Sequence, residues 1–79
     1  MKIEIYTTED CYYCKQAKDF FRKNEIDFIE HNVSNDLEKA RQIFTMSGQM
    51  GVPMIIIDGE VIVGFDKRKL KALIDGKRD

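Results

Sequence analysis

Apolar and polar residues alternate at the beginning of the chain, where Ile3 and Ile5 are flanked by the charged residues Lys2 and Glu4. A period of two is typical of a strand with one buried face. We therefore predict a first strand that ends near Thr7, followed by a polar turn.

Helical spacing begins after this turn. Ala17, Phe20 and Phe21 recur at intervals of three and four residues within the segment Tyr12–Asn24. Such spacing places them on one face of a helix, with the lysines and arginine of the segment around it. The sequence therefore predicts an amphipathic first helix.

A second strand and a second helix follow. The apolar residues of Ile26–Val33 predict the strand. Asn35 and Glu38 resemble a capping box, in which a side chain at each position satisfies a main-chain amide of the first turn. The helix that they open is predicted to end near Ser47–Gly48. Its inward side chains are predicted to be Leu37, Ala40, Ile43 and Phe44.

The third and fourth strands are predicted to form a hairpin. Two runs rich in β-branched residues, Val52–Ile57 and Glu60–Gly64, flank the dipeptide Asp58–Gly59. An Asp-Gly pair between two such runs is a strong hairpin signal, because both residues tolerate positive φ.

The last predicted helix begins at Asp66, a residue type that caps helix amino termini well. It is predicted to end near Ile74, with Gly76 beyond its end. The side chains predicted to face inward are Leu70, Leu73 and Ile74.

The order of elements indicates an α/β protein. A strand-helix-strand unit followed by a helix, a hairpin and a helix implies a four-stranded mixed sheet flanked by three helices. We expect residues 1–79 to form a single domain. Ligands of such sheets bind at the carboxyl ends of the parallel strands, and Cys11 follows the first strand at that edge.

Charge excludes some function classes. The formal net charge is −1, from 13 basic and 14 acidic residues, so no long-range field attracts nucleic acid or an anionic membrane. Met1–Ile5 carries charge where a signal peptide needs an apolar run, and no segment approaches the ~20 apolar residues that span a bilayer. We therefore expect a cytoplasmic protein with no nucleic-acid or membrane partner.

The candidate chemistry lies in Cys11-Tyr12-Tyr13-Cys14, which contains both cysteines of the chain. A single pair in a cytosolic protein is better explained as a redox couple or half of a metal site than as a structural disulfide. The loop between Cys11 and Cys14 is also too short for a disulfide to stabilise the fold strongly.

The position at a helix start predicts different roles for the two thiols. Unpaired amides and the helix dipole favour a thiolate there, so the pKa of Cys11 should lie below that of a free cysteine. We expect Cys11 to be the exposed nucleophile and Cys14, inside the first turn, to be the resolving thiol. Charged neighbours with opposing effects on the thiolate are Lys15, Lys18, Glu9 and Asp10.

Metal binding is the main alternative. A zinc site needs four ligands, and beyond the cysteine pair the chain offers only His31, expected on the surface at the far end of the second strand. We therefore expect no resident metal. Two alternatives stay open: an iron–sulfur cluster that joins Cys11 to external ligands, and an interaction protein switched by its disulfide.

The C-terminal end is basic, through Lys67, Arg68, Lys69, Lys71, Lys77 and Arg78. Such a run usually forms a solvated helix face. The alternative is a docking patch for an acidic partner or for a small anionic ligand.

Three segments, Tyr6–Cys14, Ser47–Pro53 and Val63–Asp66, resemble the glutaredoxin family, in particular its small bacterial members and the related ribonucleotide-reductase-coupled redoxins. The resemblance implies a thioredoxin fold and a thiol–disulfide oxidoreductase that reduces protein or glutathione mixed disulfides. Glutathione or thioredoxin reductase would supply the electrons, and no cofactor would be tightly bound. We expect a monomer.

The resemblance also implies contacts for individual residues. Val52–Pro53 would be cis and face the dithiol, with the main chain of Val52 pairing with the bound peptide or glutathione. Gly64–Asp66 matches the segment that receives the γ-glutamyl carboxylate, where a helix start suits an anion. Thr8 replaces a lysine that engages a glutathione carboxylate in many members, and Tyr12 replaces the usual proline. The residues implied to contact glutathione or substrate are Thr8, Tyr13, Gly51, Val52, Pro53, Gly64, Phe65 and Asp66.

Overall fold

The computed structural model describes residues 1–48 and 51–77, so Gln49, Met50, Arg78 and Asp79 lie outside the described residues. Seven elements follow the predicted order. They are β1 (Ile3–Thr7), α1 (Tyr12–Lys23), β2 (Ile29–Asn32), α2 (Leu37–Ser47), β3 (Met54–Ile57), β4 (Glu60–Val63) and α3 (Lys67–Lys77).

The four strands form one mixed sheet in the order β2-β1-β3-β4. Strand β1 pairs in parallel with β2, and β3 pairs antiparallel with both β1 and β4. Tyr6 lies between His31 of β2 and Met54 of β3, and Met54 in turn lies opposite Val63. Strands β1 and β4 therefore end at the same edge of the sheet, and the predicted thioredoxin-type fold is confirmed.

Side chains of the strands alternate between two apolar clusters, one on each face of the sheet. Helices α1 and α3 cover the first face, and α2 covers the second. The first cluster contains Ile3, Ile5, Ala17, Phe20, Phe21, Ile26, Ile55, Ile57, Ile62, Leu70 and Ile74. The second contains Tyr6, Val33, Ile43, Met54 and Ile56. The inward residues predicted for α1 and α3 are confirmed, with Leu73 partly buried against the first cluster.

The hairpin is confirmed, with positive φ at both Asp58 (49°) and Gly59 (88°). The predicted second strand is wrong at its start, because β2 begins at Ile29 and not at Ile26. Glu25 takes a positive φ of 57°, and the amide of Ile26 donates to the carbonyl of Phe21 at 2.8 Å. These residues therefore still close the end of α1 instead of extending into the sheet.

The start of α2 also differs from the prediction. Asp36 is its N-cap, and the carboxylate of Asp36 accepts the amide of Lys39 at 3.0 Å, so the predicted capping box at Asn35 is wrong. Leu37 and Phe44 were predicted to face inward but are 70% and 54% exposed. Because α2 is the only helix on its face of the described sheet, it buries a narrow stripe centred on Ile43.

Helix α3 extends further than predicted. Gly76 lies inside the helix, which continues to Lys77. None of the helices formed by the described residues is both long enough and apolar enough to cross a membrane.

Candidate active site

The two cysteines lie where β1 passes into α1. Cys11 is the N-cap of α1, and Cys14 lies inside the first helical turn. They are joined by a disulfide with Cα atoms 5.2 Å apart. Cys11 is partly exposed, whereas only 1% of Cys14 is accessible. The more exposed cysteine is therefore the one at the helix start.

The main chain of the first turn converges on Cys11. The amide of Cys14 donates to the Cys11 sulfur at 3.1 Å, and the amide of Lys15 donates to the Cys11 carbonyl at 3.3 Å. The sulfur thus occupies the capping position that a serine or aspartate oxygen usually takes. A hydrogen bond to the charged form of a group, together with the positive end of a helix dipole, favours that charged form. The arrangement suits a thiolate at Cys11.

Two aromatic side chains stand between the cysteines. Tyr12 and Tyr13 are both exposed, and their rings lie 5.3 Å apart in an edge-to-face arrangement. Neither belongs to the described apolar core. They present an accessible aromatic surface next to the dithiol.

Val52 and Pro53 lie at the same edge of the sheet as the dithiol. Their peptide bond is cis, as the family resemblance implied. Because Met54 lies opposite Tyr6, one further step of the register places Pro53 beside Thr7, at the end of β1. The Pro53 carbonyl accepts the amide of Gly64 at 2.8 Å, which brings the end of β4 to the same edge.

Thr8 and Val52 line one small pocket of about 190 Å³. Its other lining residues are Val33, Ser34, Ala40 and Ile43. The amide of Glu9 donates to the Ser34 hydroxyl at 2.8 Å and thereby connects the loop before Cys11 to the loop after β2. The sequence prediction missed this wall of the site. Only the start of a helix after β2 indicated that a loop would lie there.

Two glycines of the predicted site have steric reasons to be glycine. A Cβ at Gly51 would lie 3.1 Å from the Val63 side chain, so the loop approaches β4 closely at this point. Gly64 has a φ of 86°, in the left-handed region that favours glycine. Both residues therefore shape the main chain around Val52 and Pro53.

The side chains of Phe65 and Asp66 serve the fold. The Phe65 ring lies 6.1 Å from the Phe20 ring, against the core between α1 and α3. The Asp66 carboxylate accepts the Lys69 amide at 3.2 Å, which confirms Asp66 as a capping residue of α3. Both side chains therefore hold this segment in place at the start of α3.

A polar contact that the sequence prediction missed lies on the same face of the sheet as α1. The buried Thr7 hydroxyl donates to the Glu30 carboxylate at 2.6 Å, and the Lys18 ammonium donates to the same oxygen at 2.9 Å. The hydrogen bond from Thr7, followed by that from Lys18, holds the pKa of Glu30 below its usual range. This contact ties α1 to the end of β1 and to β2.

The other face of the sheet carries a second polar group. His31 is half-buried in β2, with Nε2 3.2 Å from Glu4 Oε1 and Nδ1 3.2 Å from the Lys39 ammonium. Its ring packs on Tyr6, whose pKa is raised by burial and by the Glu4 carboxylate. Within residues 1–48 and 51–77, no three or more histidine, cysteine, aspartate or glutamate side chains are grouped to hold a metal ion.

Comparison with known proteins agrees with this geometry. The family model described as Glutaredoxin matches residues 3–62. An uncharacterised glutaredoxin-like 8.6 kDa protein from the rubredoxin operon of Clostridium pasteurianum is 41% identical over 92% of this chain and 97% of its own length. Glutaredoxin 3 of Escherichia coli K12 is 36% identical over 81% of this chain and 77% of its own.

The fold comparison includes the NrdH-redoxin of Escherichia coli, described as a glutaredoxin-like protein with a thioredoxin-like activity profile. It superimposes with a TM-score of 0.82 at 27% identity, over 92% of this chain and 95% of its own. The family match covers most of the chain, including the Cys11–Cys14 disulfide and the cis bond before Pro53. The chain therefore belongs to the glutaredoxin family and is a glutaredoxin-like thiol–disulfide oxidoreductase.

Proposed function

We propose that the protein reduces protein disulfides and glutathione mixed disulfides, with Cys11 as the nucleophile and Cys14 as the resolving thiol. One observation carries this assignment: Cys11 is the partly exposed N-cap whose sulfur accepts the Cys14 amide, while Cys14 is buried. The attacking sulfur must reach a substrate, and the resolving sulfur needs to reach only Cys11.

The reaction begins from the reduced dithiol. The Cys11 thiolate attacks one sulfur of the substrate disulfide, forms a mixed disulfide and releases the other sulfur as a thiolate that takes up a proton. Cys14 then loses its proton and attacks the Cys11 sulfur. This step closes the Cys11–Cys14 disulfide and releases the second substrate thiol. Two electrons have then passed from the dithiol to the substrate.

We propose that the main chain of Val52 pairs with the substrate segment next to its disulfide. Val52 and Pro53 lie beside the end of β1, and Gly51 packs so closely on Val63 that a Cβ there would lie 3.1 Å from the Val63 side chain. Tyr13 would cover the outer side of the bound segment with its exposed ring.

Gly64–Asp66 would receive the γ-glutamyl end of glutathione. Helix α3 begins directly after this segment, and the first amides of a helix have no partner within the helix. The Asp66 carboxylate already accepts the Lys69 amide, which leaves the amides of the two residues before Lys69 to hold a carboxylate. The ammonium of the γ-glutamyl group would face the Asp66 carboxylate.

The oxidised dithiol requires an electron donor, either glutathione or a thioredoxin reductase. Among the described residues, the pocket beside Val52 is lined by Thr8, Ser34 and four apolar side chains, and none of these carries a cation that could hold the glycyl carboxylate of glutathione. We therefore propose that the reductase serves this protein better than glutathione does.

The test of the reaction uses single cysteine variants. Cys11→Ser should abolish reduction of a disulfide peptide, since no accessible nucleophile remains. Cys14→Ser should still form the mixed disulfide but should release the product only slowly, and mass spectrometry of the intact protein should detect the adduct. Reductase activity that survives Cys11→Ser would show that the assignment is wrong.

A further inference from the structure

Helices α1 and α3 lie on the same face of the sheet and leave a groove between them. Its volume is about 500 Å³. The aromatic residues that line it are Phe20, largely buried, and Phe65, partly buried, with their rings 6.1 Å apart. The groove therefore has an aromatic floor that the proposed disulfide exchange does not use.

The walls of the groove are basic. Lys23 of α1 and Lys67 and Lys71 of α3 line it, and all three are exposed. Asp19, the one carboxylate among the described lining residues, lies 3.6 Å from the Arg22 guanidinium, which offsets its charge, and the exposed Lys71 ammonium lies 4.0 Å from Asp75 outside the groove. The groove is therefore positive, although the chain as a whole has a net charge of −1.

The helical spacing explains why these lysines act together. Lys67 and Lys71 are four residues apart and share one face of α3. Two other lysines of the basic run are directed elsewhere: Lys69 lines a different pocket near Val63, and the Lys77 ammonium lies 3.8 Å from Asp58. The described lysines of the run are exposed but face different parts of the surface.

The groove runs beside α1 from Gln16, five residues after Cys11, to Asn24, and beside the start of α3, so it opens further along α1 than the edge of the sheet that carries the dithiol. Strands β1 and β4 end at this edge, and α1 and α3 both start from it. A substrate segment that extends away from the dithiol can therefore enter the groove beside Lys67 and continue towards Lys71. Small-molecule sites enclose most of the surface of their ligand, whereas the lysine walls of this groove are open to solvent. The groove therefore suits a linear peptide segment better than a small molecule.

We propose that the groove between α1 and α3 binds an acidic segment of the substrate protein, with an apolar side chain of that segment against Phe20 and Phe65. This proposal rests on the proposed function, since the segment belongs to the protein whose disulfide Cys11 attacks. Charge complementarity at the groove would raise the association rate and lower KM without changing the exchange chemistry.

The test uses synthetic disulfide peptides that share one reactive core. One peptide carries a tail of aspartates around a single phenylalanine, a second replaces the aspartates with asparagines, and a third has no tail. We expect a roughly tenfold lower KM for the acidic tail than for the neutral one, as three partly exposed ion pairs allow. High salt should remove the difference.

Variants locate the binding site. Lys23→Gln, Lys67→Gln and Lys71→Gln combined should abolish the advantage of the acidic tail. A control variant removes three positive charges outside the groove, through Lys2→Gln, Arg41→Gln and Lys77→Gln. This variant should keep the advantage of the acidic tail. Equal KM values for the two tails, or an advantage that survives the groove variant, would overturn the proposal. The peptide without a tail measures the dithiol separately, so failure of the proposed function would appear as no turnover of any peptide.

Discussion

The main-chain amide of Cys14 donates a hydrogen bond to the sulfur of Cys11 across 3.1 Å. A main-chain donor is fixed by the helix and remains in place when either side chain is changed. The same bond that caps α1 is therefore available to a negative sulfur once the disulfide is reduced. This hydrogen bond both caps the helix and favours the thiolate. The position of Cys11 at the N-cap therefore contributes more to its reactivity than the spacing of the two cysteines alone.

Thr8 offers a way to change the choice of reductant. Thr8→Lys would place a cation in the pocket beside Val52, where a glutathione carboxylate could meet it. A partly exposed ion pair is worth up to about 1 kcal/mol, so KM for a glutathione mixed disulfide should fall up to about fivefold. The measurement is steady-state kinetics with glutathione, compared with thioredoxin reductase and NADPH.

The control is Thr8→Val, which keeps the size of the side chain without adding charge. It should leave KM for the glutathione mixed disulfide close to that of the parent protein. If both variants change KM equally, the shape of the pocket and not its charge governs glutathione use.

Gly64 should not tolerate a side chain. With φ at 86°, Gly64→Ala forces a left-handed conformation on an L-residue, at a cost of roughly 1–2 kcal/mol in the free energy of unfolding. Gly76→Ala is the matched control, because Gly76 lies inside α3 with open space around its Cβ position. It should stabilise the protein by up to about 1 kcal/mol. Urea unfolding measures the free energy of unfolding of both variants. If both substitutions stabilise the protein, or both destabilise it, the explanation from the positive φ of Gly64 is wrong.

Glu30 should make stability depend on acid pH. Its pKa is lowered by the hydrogen bonds from Thr7 and Lys18, so the unfolded state binds the proton more readily. The stabilisation is complete above the ordinary glutamate pKa of about 4.3 and is lost as pH falls through the lowered value.

The comparison of the parent protein with Glu30→Gln isolates this contribution. The parent should be more stable at neutral pH, by up to about 1 kcal/mol, and the gap should close as the pH falls below about 4. Glu60→Gln, an exposed position on β4, controls for the loss of a charge. A gap that stays constant down to acid pH would show that the ionised carboxylate contributes nothing.

Much of the fold could be predicted from local patterns. Ala17 and Phe21 mark the buried face of α1 because a helix on a sheet buries a stripe of period 3.6. Asp58–Gly59 marks the hairpin because the turn requires positive φ at both residues. Cys11 could be placed at the helix start for the same local reason, since the strand pattern stops at Thr7.

The errors arose where tertiary structure decides. Asn35 and Asp36 can both cap a helix, and the path of the chain out of β2 selects Asp36. Leu37 and Phe44 fit the spacing of an apolar helix face in the sequence. The described second face of the sheet covers only part of that helix face, around Ile43, and leaves both of these side chains exposed. The contact between Thr7 and Glu30 joins residues 23 positions apart, and only the parallel register of β1 and β2 brings them together.

In the proposed mechanism the helix start activates Cys11 and not Cys14. The most direct measurement is the rate of alkylation of each cysteine in the reduced protein as a function of pH, with peptide mapping by mass spectrometry. We predict that Cys11 reacts first, with a midpoint below the free cysteine pKa of about 8.5. Faster alkylation of Cys14, or a Cys11 midpoint at or above about 8.5, would contradict the account.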